Sequence, residues 1–105
     1  MDNIIQYNKA IRDKIPEIIR ESGKDCKIIS LSNGDFLAAL EMKLQEELNE
    51  YMESKSLEEL ADLLEIIHRL AELKDSSLIK LENIRKAKKN ERGGFQKNLL
   101  LIEIS

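Results

Sequence analysis

Apolar residues recur at helical spacing through the middle of the chain. From Phe36 to Tyr51 an apolar side chain returns every three or four positions, which is the period of one face of an α-helix. Ser32 followed by Asp35 is a capping pattern at the start of this stretch. The pattern predicts a long helix that ends near Ser54.

Two further long helices are predicted after this one. Ser56 with Glu59 three positions later has the form of a capping box, and the helix that it starts should run to about Leu73. The next helix should begin near Ser76 or Ser77. It should end before the adjacent glycines at positions 93 and 94, because such a pair favours a helix stop.

The remaining segments predict a short helix and a small sheet. Pro16 is tolerated in a first helical turn, so a helix is expected from about Lys14 to Ser22, with Gly23 ending it. Residues 27–31 are rich in β-branched side chains and too short for a helix, which favours a strand. Its expected partner is 99–104, so we expect a mainly α fold with a two-stranded sheet beside the helices.

The helix from Leu57 to Leu73 is apolar on two sides, and this predicts an oligomer. One face carries Leu57, Leu60, Ala61, Leu64, Ile67 and Ala71. A second strip carries Leu63, Ile66, Leu70 and Leu73. One small chain has too little material to cover both sides, so we expect a homo-oligomer, with a dimer as the simplest closed form.

Length and charge limit the classes of function. A chain of 105 residues is expected to form a single domain spanning 1–105. Its formal charge of -3 argues against a nucleic-acid polymer as the main partner, because binding to that backbone needs a basic surface. No segment approaches the roughly 18 consecutive apolar residues of a membrane span. With one cysteine, Cys26, and no apolar leader at the start, we expect a cytoplasmic location.

Acidic residues lie on both sides of the turn predicted near residues 54 and 55. Glu47 with Glu50, and Glu59 with Asp62, are each three apart and therefore share a helix face. In an antiparallel hairpin the four carboxylates would meet at matching heights. Converging, partly buried carboxylates need a compensating cation, and oxygen ligands suit Mg²⁺ or Mn²⁺.

A second interpretation of these acids needs no metal. Asp and Glu on helices are mostly exposed, so the group is also consistent with a solvated face. In that case Glu59 would serve only to complete the capping box with Ser56. Spacing alone leaves both interpretations open.

The acidic segments resemble a known family. Glu46-Glu47-Leu48-Asn49-Glu50 followed by Glu59-Leu60-Ala61-Asp62 resembles the E-E-x-x-E … E-x-x-D signature of the MazG-like all-α nucleotide pyrophosphohydrolases. Residues 7–16, Tyr-Asn-Lys-Ala-Ile-Arg-Asp-Lys-Ile-Pro, and residues 91–95, Glu-Arg-Gly-Gly-Phe, are similar to flanking motifs of a short MazG-like subgroup. The gap between Glu50 and Glu59 is shorter than in many members, which affects the expected shape of the nucleoside pocket more than the metal site.

The resemblance implies a helical bundle, a metal site and a reaction. Glu47, Glu50, Glu59 and Asp62 would bind Mg²⁺, and Mn²⁺ would be a substitute. Glu46 and Glu47 would be catalytic, with Glu46 assisting in metal binding or in orienting water. The substrate would be a nucleoside triphosphate or related nucleotide, hydrolysed between its α- and β-phosphates to a nucleoside monophosphate and pyrophosphate.

Basic residues are candidates for contacts with the phosphates. Lys89 and Arg92 follow the acidic helices at a spacing that resembles the family's basic motif, although basic residues at a helix end also interact favourably with the helix dipole. Arg12 and Lys14 are further candidates. His68 falls on the apolar face of its helix and is interpreted as a packed or interface histidine.

Two other functions are consistent with the same residues. The first is the phosphoribosyl-ATP pyrophosphohydrolase of histidine biosynthesis, which keeps the chemistry and changes the substrate. The second is a helical dimer that binds metal without catalysis or docks a protein partner. Release of pyrophosphate from nucleotides in the presence of Mg²⁺ separates the enzymes from the binding module.

Overall fold

The computed structural model describes residues 4–74 and 76–105, and in these ranges the chain forms four α-helices. They are α1 (Ile15–Glu21), α2 (Asn33–Ser54), α3 (Leu57–Leu73) and α4 (Leu78–Arg92). All four helices that the sequence predicts are present, with ends that differ from the predicted ones by a few residues. The mainly helical fold class is therefore confirmed.

Serine side chains cap the three long helices at their N-termini. In each case the hydroxyl oxygen accepts a hydrogen bond from the backbone N–H three positions later, which satisfies one of the donors that a helix start leaves without a partner. The pairs are Ser32 with Asp35 at 3.2 Å, Ser56 with Glu59 at 3.4 Å, and Ser77 with Lys80 at 3.0 Å. Local sequence signals thus fix where α2, α3 and α4 begin.

The α2–α3 hairpin is the main packing unit of the described chain. Only Lys55 and Ser56 separate the two helices, so they run antiparallel and contact each other along their length. Their core is small and aliphatic and centres on Leu40 and Ile66, each 6% exposed. Partly buried side chains that surround this centre are Phe36, Ala39, Leu44, Leu70 and Leu73.

The segment before α1 packs onto the hairpin. Ala10 is 6% exposed and belongs to the same core cluster as Leu40 and Ile66. Its small side chain allows the backbone of this segment to approach both helices closely. The residues on either side of Ala10 are consequently held against the surface of the hairpin.

The two apolar sides of α3 have different environments. Ile66 and Leu70, from the second strip, are packed in the hairpin core. Leu57, Leu64 and Ile67, from the first face, are 78%, 54% and 39% exposed. Ala71 is the exception on that face, since it is 9% exposed and its carbonyl accepts a hydrogen bond from the Ser76 N–H at 3.2 Å.

The predicted two-stranded sheet is absent from the described residues, so that part of the fold prediction is wrong. Residues 27–31 and 99–104 have no strand or bridge, and they are largely exposed, with Ile29 at 76% and Leu99 at 86%. A high β-propensity stabilises a strand only when a partner supplies the ladder hydrogen bonds and a surface to pack on. In the described ranges the core of the hairpin is filled by its own side chains and by Ala10, and neither run belongs to that core cluster.

Helix α4 extends away from the hairpin. Among the helices of the described chain it contacts α3 and does not touch α2, and only Leu81 and Glu82 in it are half-buried. It ends at Arg92, and the C-cap residue Gly93 has a φ of +87°, a backbone conformation that favours glycine. None of the helices in the described ranges is long and apolar enough to cross a membrane.

The packing of α2 predicts how two substitutions on that helix affect stability. Leu40→Ala should lower the free energy of unfolding by about 2–5 kcal/mol, because it removes a buried side chain and leaves a cavity. Met52, which is 58% exposed on the same helix, is the matched control, and Met52→Ala should change that free energy by less than about 0.5 kcal/mol. Urea unfolding followed by circular dichroism measures both, and equal losses would contradict the described packing of α2.

Candidate metal site at the helical hairpin

The turn between α2 and α3 determines which acidic residues meet. Lys55 adopts a left-handed conformation with φ of +58°, and its N–H donates to the Tyr51 carbonyl at 2.7 Å. Helix α3 starts two residues later from its cap at Ser56. Because the turn is so short, the last turns of α2 lie beside the first turns of α3.

Three glutamates converge at this end of the hairpin. One carboxylate oxygen from each of Glu47, Glu50 and Glu59 lies within 4.8 Å of the other two. Glu47 is 8% exposed, Glu59 is half-buried and Glu50 reaches solvent. The arrangement is thus a partly buried cluster with one side open, which we call the carboxylate cluster.

Two oxygens of the carboxylate cluster are buried without a hydrogen-bond partner. They are Oε2 of Glu47 and Oε2 of Glu59. A buried carboxylate oxygen without a donor is costly, so such atoms in a folded protein call for a bound proton, water or cation. Both atoms belong to the carboxylate cluster, which supports a ligand-binding role over a solvated acidic face.

The capping box at the start of α3 is only half formed. The Ser56 hydroxyl accepts from the Glu59 N–H, but the Ser56 N–H donates to the Ser54 hydroxyl at 3.2 Å rather than to the Glu59 carboxylate. A complete box would use the side chain of Glu59 as the acceptor for that N–H. The cap therefore leaves this carboxylate available to the carboxylate cluster.

Burial, together with the neighbouring carboxyl group of Glu50, raises the pKa of Glu47 from an ordinary value of 4.5 to about 7. Glu59 and Asp62 add smaller contributions of the same sign. Without a cation the protein thus favours a proton on Glu47, which is the response expected when carboxylates are held together.

Asp62, the fourth predicted ligand, has a basic partner. Its Oδ1 accepts a hydrogen bond from Arg12 Nη2 at 2.7 Å, and its side chain is 39% exposed. It is nevertheless close enough to raise the pKa of Glu47. The structure thus brings three of the four predicted ligands within 4.8 Å of one another, whereas Asp62 is ion-paired with Arg12.

Three cations surround the acidic residues. Lys9 Nζ lies 3.1 Å from Glu46 Oε1, and Lys43 Nζ lies 3.8 Å from Glu47 Oε1. Arg12 completes the set through Asp62. Arg12 is among the basic residues predicted from the sequence to contact phosphates, whereas Lys9 and Lys43 are not. Lys43 precedes Glu47 by four positions on one helix, a spacing that identifies facing ion pairs, whereas Lys9 carries no comparable signal.

The other predicted residues lie elsewhere. Lys14 is exposed at the start of α1, and its side chain makes no capping bond. Lys89 and Arg92 are exposed at the end of α4, the helix that has no contact with α2. His68 is half-buried on α3, consistent with a packed residue. Cys26 is a half-buried thiol before α2.

Comparisons with known proteins identify no family for the chain. No family model matches it, and no solved structure matches it. A stretch of 40 residues is 50% identical to an uncharacterized protein of Mycolicibacterium smegmatis. That stretch covers 38% of this chain and 41% of the relative, so the chain spans about two-fifths of the protein that it matches. The MazG-like resemblance therefore stays a prediction.

The raised pKa of Glu47 predicts a pH dependence of stability in the absence of metal. Between pH 4.5 and about 7 the folded protein binds more protons at Glu47 than the unfolded chain, so the free energy of unfolding should fall as pH rises through this window. Glu47→Gln, which imitates the protonated side chain, should remove this slope. Urea titrations in EDTA at several pH values measure it, with Glu53→Gln, an exposed acid on α2, as the control. Parallel profiles for wild type and Glu47→Gln would contradict the assigned pKa.

Proposed function

We propose that the protein is a metal-dependent nucleotide pyrophosphohydrolase that acts on the bond between the α- and β-phosphates. The observation that carries the proposal is the carboxylate cluster, with two buried oxygens that have no hydrogen-bond partner. The sequence resemblance supplies the reaction and the substrate class. The products would be a nucleoside monophosphate and pyrophosphate.

The donor atoms fit a hard divalent cation. All three side chains of the carboxylate cluster offer oxygen and none offers sulfur or nitrogen, which favours Mg²⁺ or Mn²⁺ over softer metals. Mg²⁺ commonly uses one or two carboxylates, several waters and the phosphates of the substrate, so an incomplete protein shell suits it. Glu47, Glu50 and Glu59 would bind the metal, and Asp62 would join them when Arg12 turns to another anion.

The chain's own residues have distinct tasks in this reaction. A bound metal would supply an activated water and neutralise charge on the phosphates. Glu46, next to the carboxylate cluster and ion-paired with Lys9, would accept a proton from the attacking water. The elements of water are thereby added across the α–β bridge and pyrophosphate leaves.

The cations near the carboxylate cluster would bind the phosphate chain. Lys9, Lys43 and Arg12 each lie beside an acidic residue of this region, and each would exchange that carboxylate for a phosphate oxygen. Arg12 is the strongest candidate, because a guanidinium contacts phosphate through two parallel N–H groups. Lys14 would attract the phosphates only at longer range, without direct contact.

Lys89 and Arg92 require a second chain to take part. Their helix makes no contact with α2 in the described chain, so a role in phosphate binding would come from the partner copy in a homo-oligomer. The exposed apolar face of α3, Leu57, Leu60, Leu64 and Ile67, supports such an assembly. A dimer that buries this face would also meet the expectation from the two-sided apolar pattern.

Substitutions in the carboxylate cluster test the proposed function. Glu50→Gln should lower kcat/KM for nucleoside triphosphates by two or more orders of magnitude, since it removes a charged ligand. Glu59→Gln should do the same although glutamine also suits a capping position. Glu58→Gln, at the exposed neighbouring position, is the matched control and should keep full activity. Pyrophosphate release with Mg²⁺ present measures all three.

Thermal unfolding gives a second readout of the metal site. Mg²⁺ or Mn²⁺ should raise the Tm of the wild type and of Glu58→Gln, but not that of Glu50→Gln, because a ligand that binds only the folded state stabilises it. A non-catalytic metal-binding module would show the Tm shift without pyrophosphate release. Full activity in both carboxylate variants, with no effect of metal on Tm, would exclude the proposed site.

Light scattering tests the oligomer. We expect a mass of twice that of the chain or more at high micromolar concentration, and Leu64→Glu should reduce it by placing a charge on the exposed apolar face. A wild-type mass equal to one chain, 12.1 kDa, would rule out the assembly and with it a role for Lys89 and Arg92 at the carboxylate cluster.

A further inference from the structure

A groove of about 440 Å³ lies between the segment before α1 and the outer face of α2. This volume falls within the roughly 300–1,000 Å³ typical of small-molecule sites. The first wall is built by residues 7–9, which the packing of Ala10 holds against the hairpin. Side chains of α2 that turn away from the hairpin core build the other wall.

Each wall presents one large side chain that prefers contact with an apolar ligand surface. Tyr7 comes from the segment before α1 and is 66% exposed, and Met42 comes from α2 and is 76% exposed. An aromatic ring stacks on flat conjugated groups, and a thioether adapts to their faces. The groove thus suits a flat ring better than a branched or aliphatic group.

The amide side chains of Gln45 and Asn49 line the same groove and can form hydrogen bonds with polar atoms at the edge of such a ring. The Gln45 Nε2 group donates to Asn49 Oδ1 at 3.0 Å, which fixes the two amides relative to each other. The Gln45 carbonyl oxygen and the Asn49 amide N–H groups then offer an acceptor and donors side by side. Heterocyclic bases present complementary donors and acceptors on their edges, whereas purely apolar rings do not.

Cations connect the groove to the carboxylate cluster. Lys43 lines the groove, and its ammonium group is 3.8 Å from Glu47 Oε1. Lys9 lies 5.6 Å from the centre of the Tyr7 ring and 3.1 Å from Glu46. A ligand whose ring contacts Tyr7 would therefore have its anionic part near these lysines, next to the carboxylates.

We propose that this groove binds the nucleobase of the substrate, with Tyr7 and Met42 against its faces and the amides of Gln45 and Asn49 at its edge. Lys43 marks the point where the phosphate chain passes from the groove to the carboxylate cluster. The assignment rests on the proposed hydrolysis of nucleotides. It places base selection on the outer face of α2 and the segment before α1, and not on α3 or α4.

Steady-state kinetics test the groove with matched variants. Tyr7→Ala and Met42→Ala should each raise KM for nucleoside triphosphates about tenfold, with little change in kcat, because each removes a side chain that contacts a face of the base. Tyr7→Phe keeps the ring and should retain a KM near that of the wild type. Met52→Ala removes an exposed methionine of the same helix that lies outside the groove, and it should leave KM unchanged.

Inorganic tripolyphosphate serves as a probe that lacks a base. Its inhibition constant should be the same in wild type, Tyr7→Ala and Met42→Ala, because it reaches only the cations and the carboxylate cluster. Equal weakening of tripolyphosphate and nucleotide would mean that the substitutions disturb the phosphate site, and this would overturn the base assignment. An unchanged KM for nucleotides in both alanine variants would overturn it as well, while leaving the proposed hydrolysis intact.

Nucleotide binding measured without metal tests the groove independently of the proposed hydrolysis. Nucleoside monophosphates of all four common bases, titrated to millimolar concentration in EDTA, should shift the side-chain amide NMR signals of Gln45 and Asn49 for at least one base. Such shifts in a protein that releases no pyrophosphate would support the groove as a nucleotide site and reject the proposed reaction. Absence of shifts with every base would overturn the groove assignment whether or not hydrolysis occurs.

Discussion

The two-residue connection between α2 and α3 is the constraint on which the rest of the structure depends. It brings the last turns of α2 beside the first turns of α3, so that Glu47, Glu50 and Glu59 come within 4.8 Å of one another. Packing of aliphatic side chains around Leu40 and Ile66 holds the helices together against the repulsion of these acids. Burial of apolar side chains in the small core thus offsets an electrostatically unfavourable arrangement, as is common at functional sites.

The segment before α1 places basic side chains next to acidic residues of the hairpin. Ala10 anchors the segment in the core, and the side chains on either side of it reach acidic residues on different helices: Lys9 contacts Glu46 on α2, and Arg12 contacts Asp62 on α3. The same anchoring positions Tyr7 at the groove. One buried alanine therefore connects the packing of the hairpin with the charges and the cavity beside the carboxylate cluster.

Local features of the sequence predicted the helices, whereas features that depend on distant partners were predicted poorly. Serine caps and apolar periodicity act within a few residues, so α2, α3 and α4 were predicted close to their observed ends. Strand formation by 27–31 and 99–104 needed pairing across the chain, and β-propensity carries no information about that. The two runs are exposed instead.

The candidate site likewise combines contacts between residues close in sequence with contacts between distant ones. The spacing of Glu47, Glu50 and Glu59 about a short turn predicted that their carboxylates meet, although it left a solvated acidic face as an alternative. The spacing of Lys43 and Glu47 could have added that lysine. The ion pair of Asp62 with Arg12, fifty positions away, depends on the path of a segment without regular periodicity. The position of Lys9 and the groove depend on that same path, so neither could be predicted from local spacing.

The short connection also has a consequence for the order of folding. Glu47 and Glu59 are close in sequence, so closing the loop between them costs little chain entropy, which favours early formation of the hairpin. If the hairpin forms before the folding transition state, repulsion among its carboxylates is present in that state. Relief of that repulsion, by protonation or by a cation, should accelerate folding more than it slows unfolding. The residues proposed to bind the metal would thus also set how fast the chain reaches its native state.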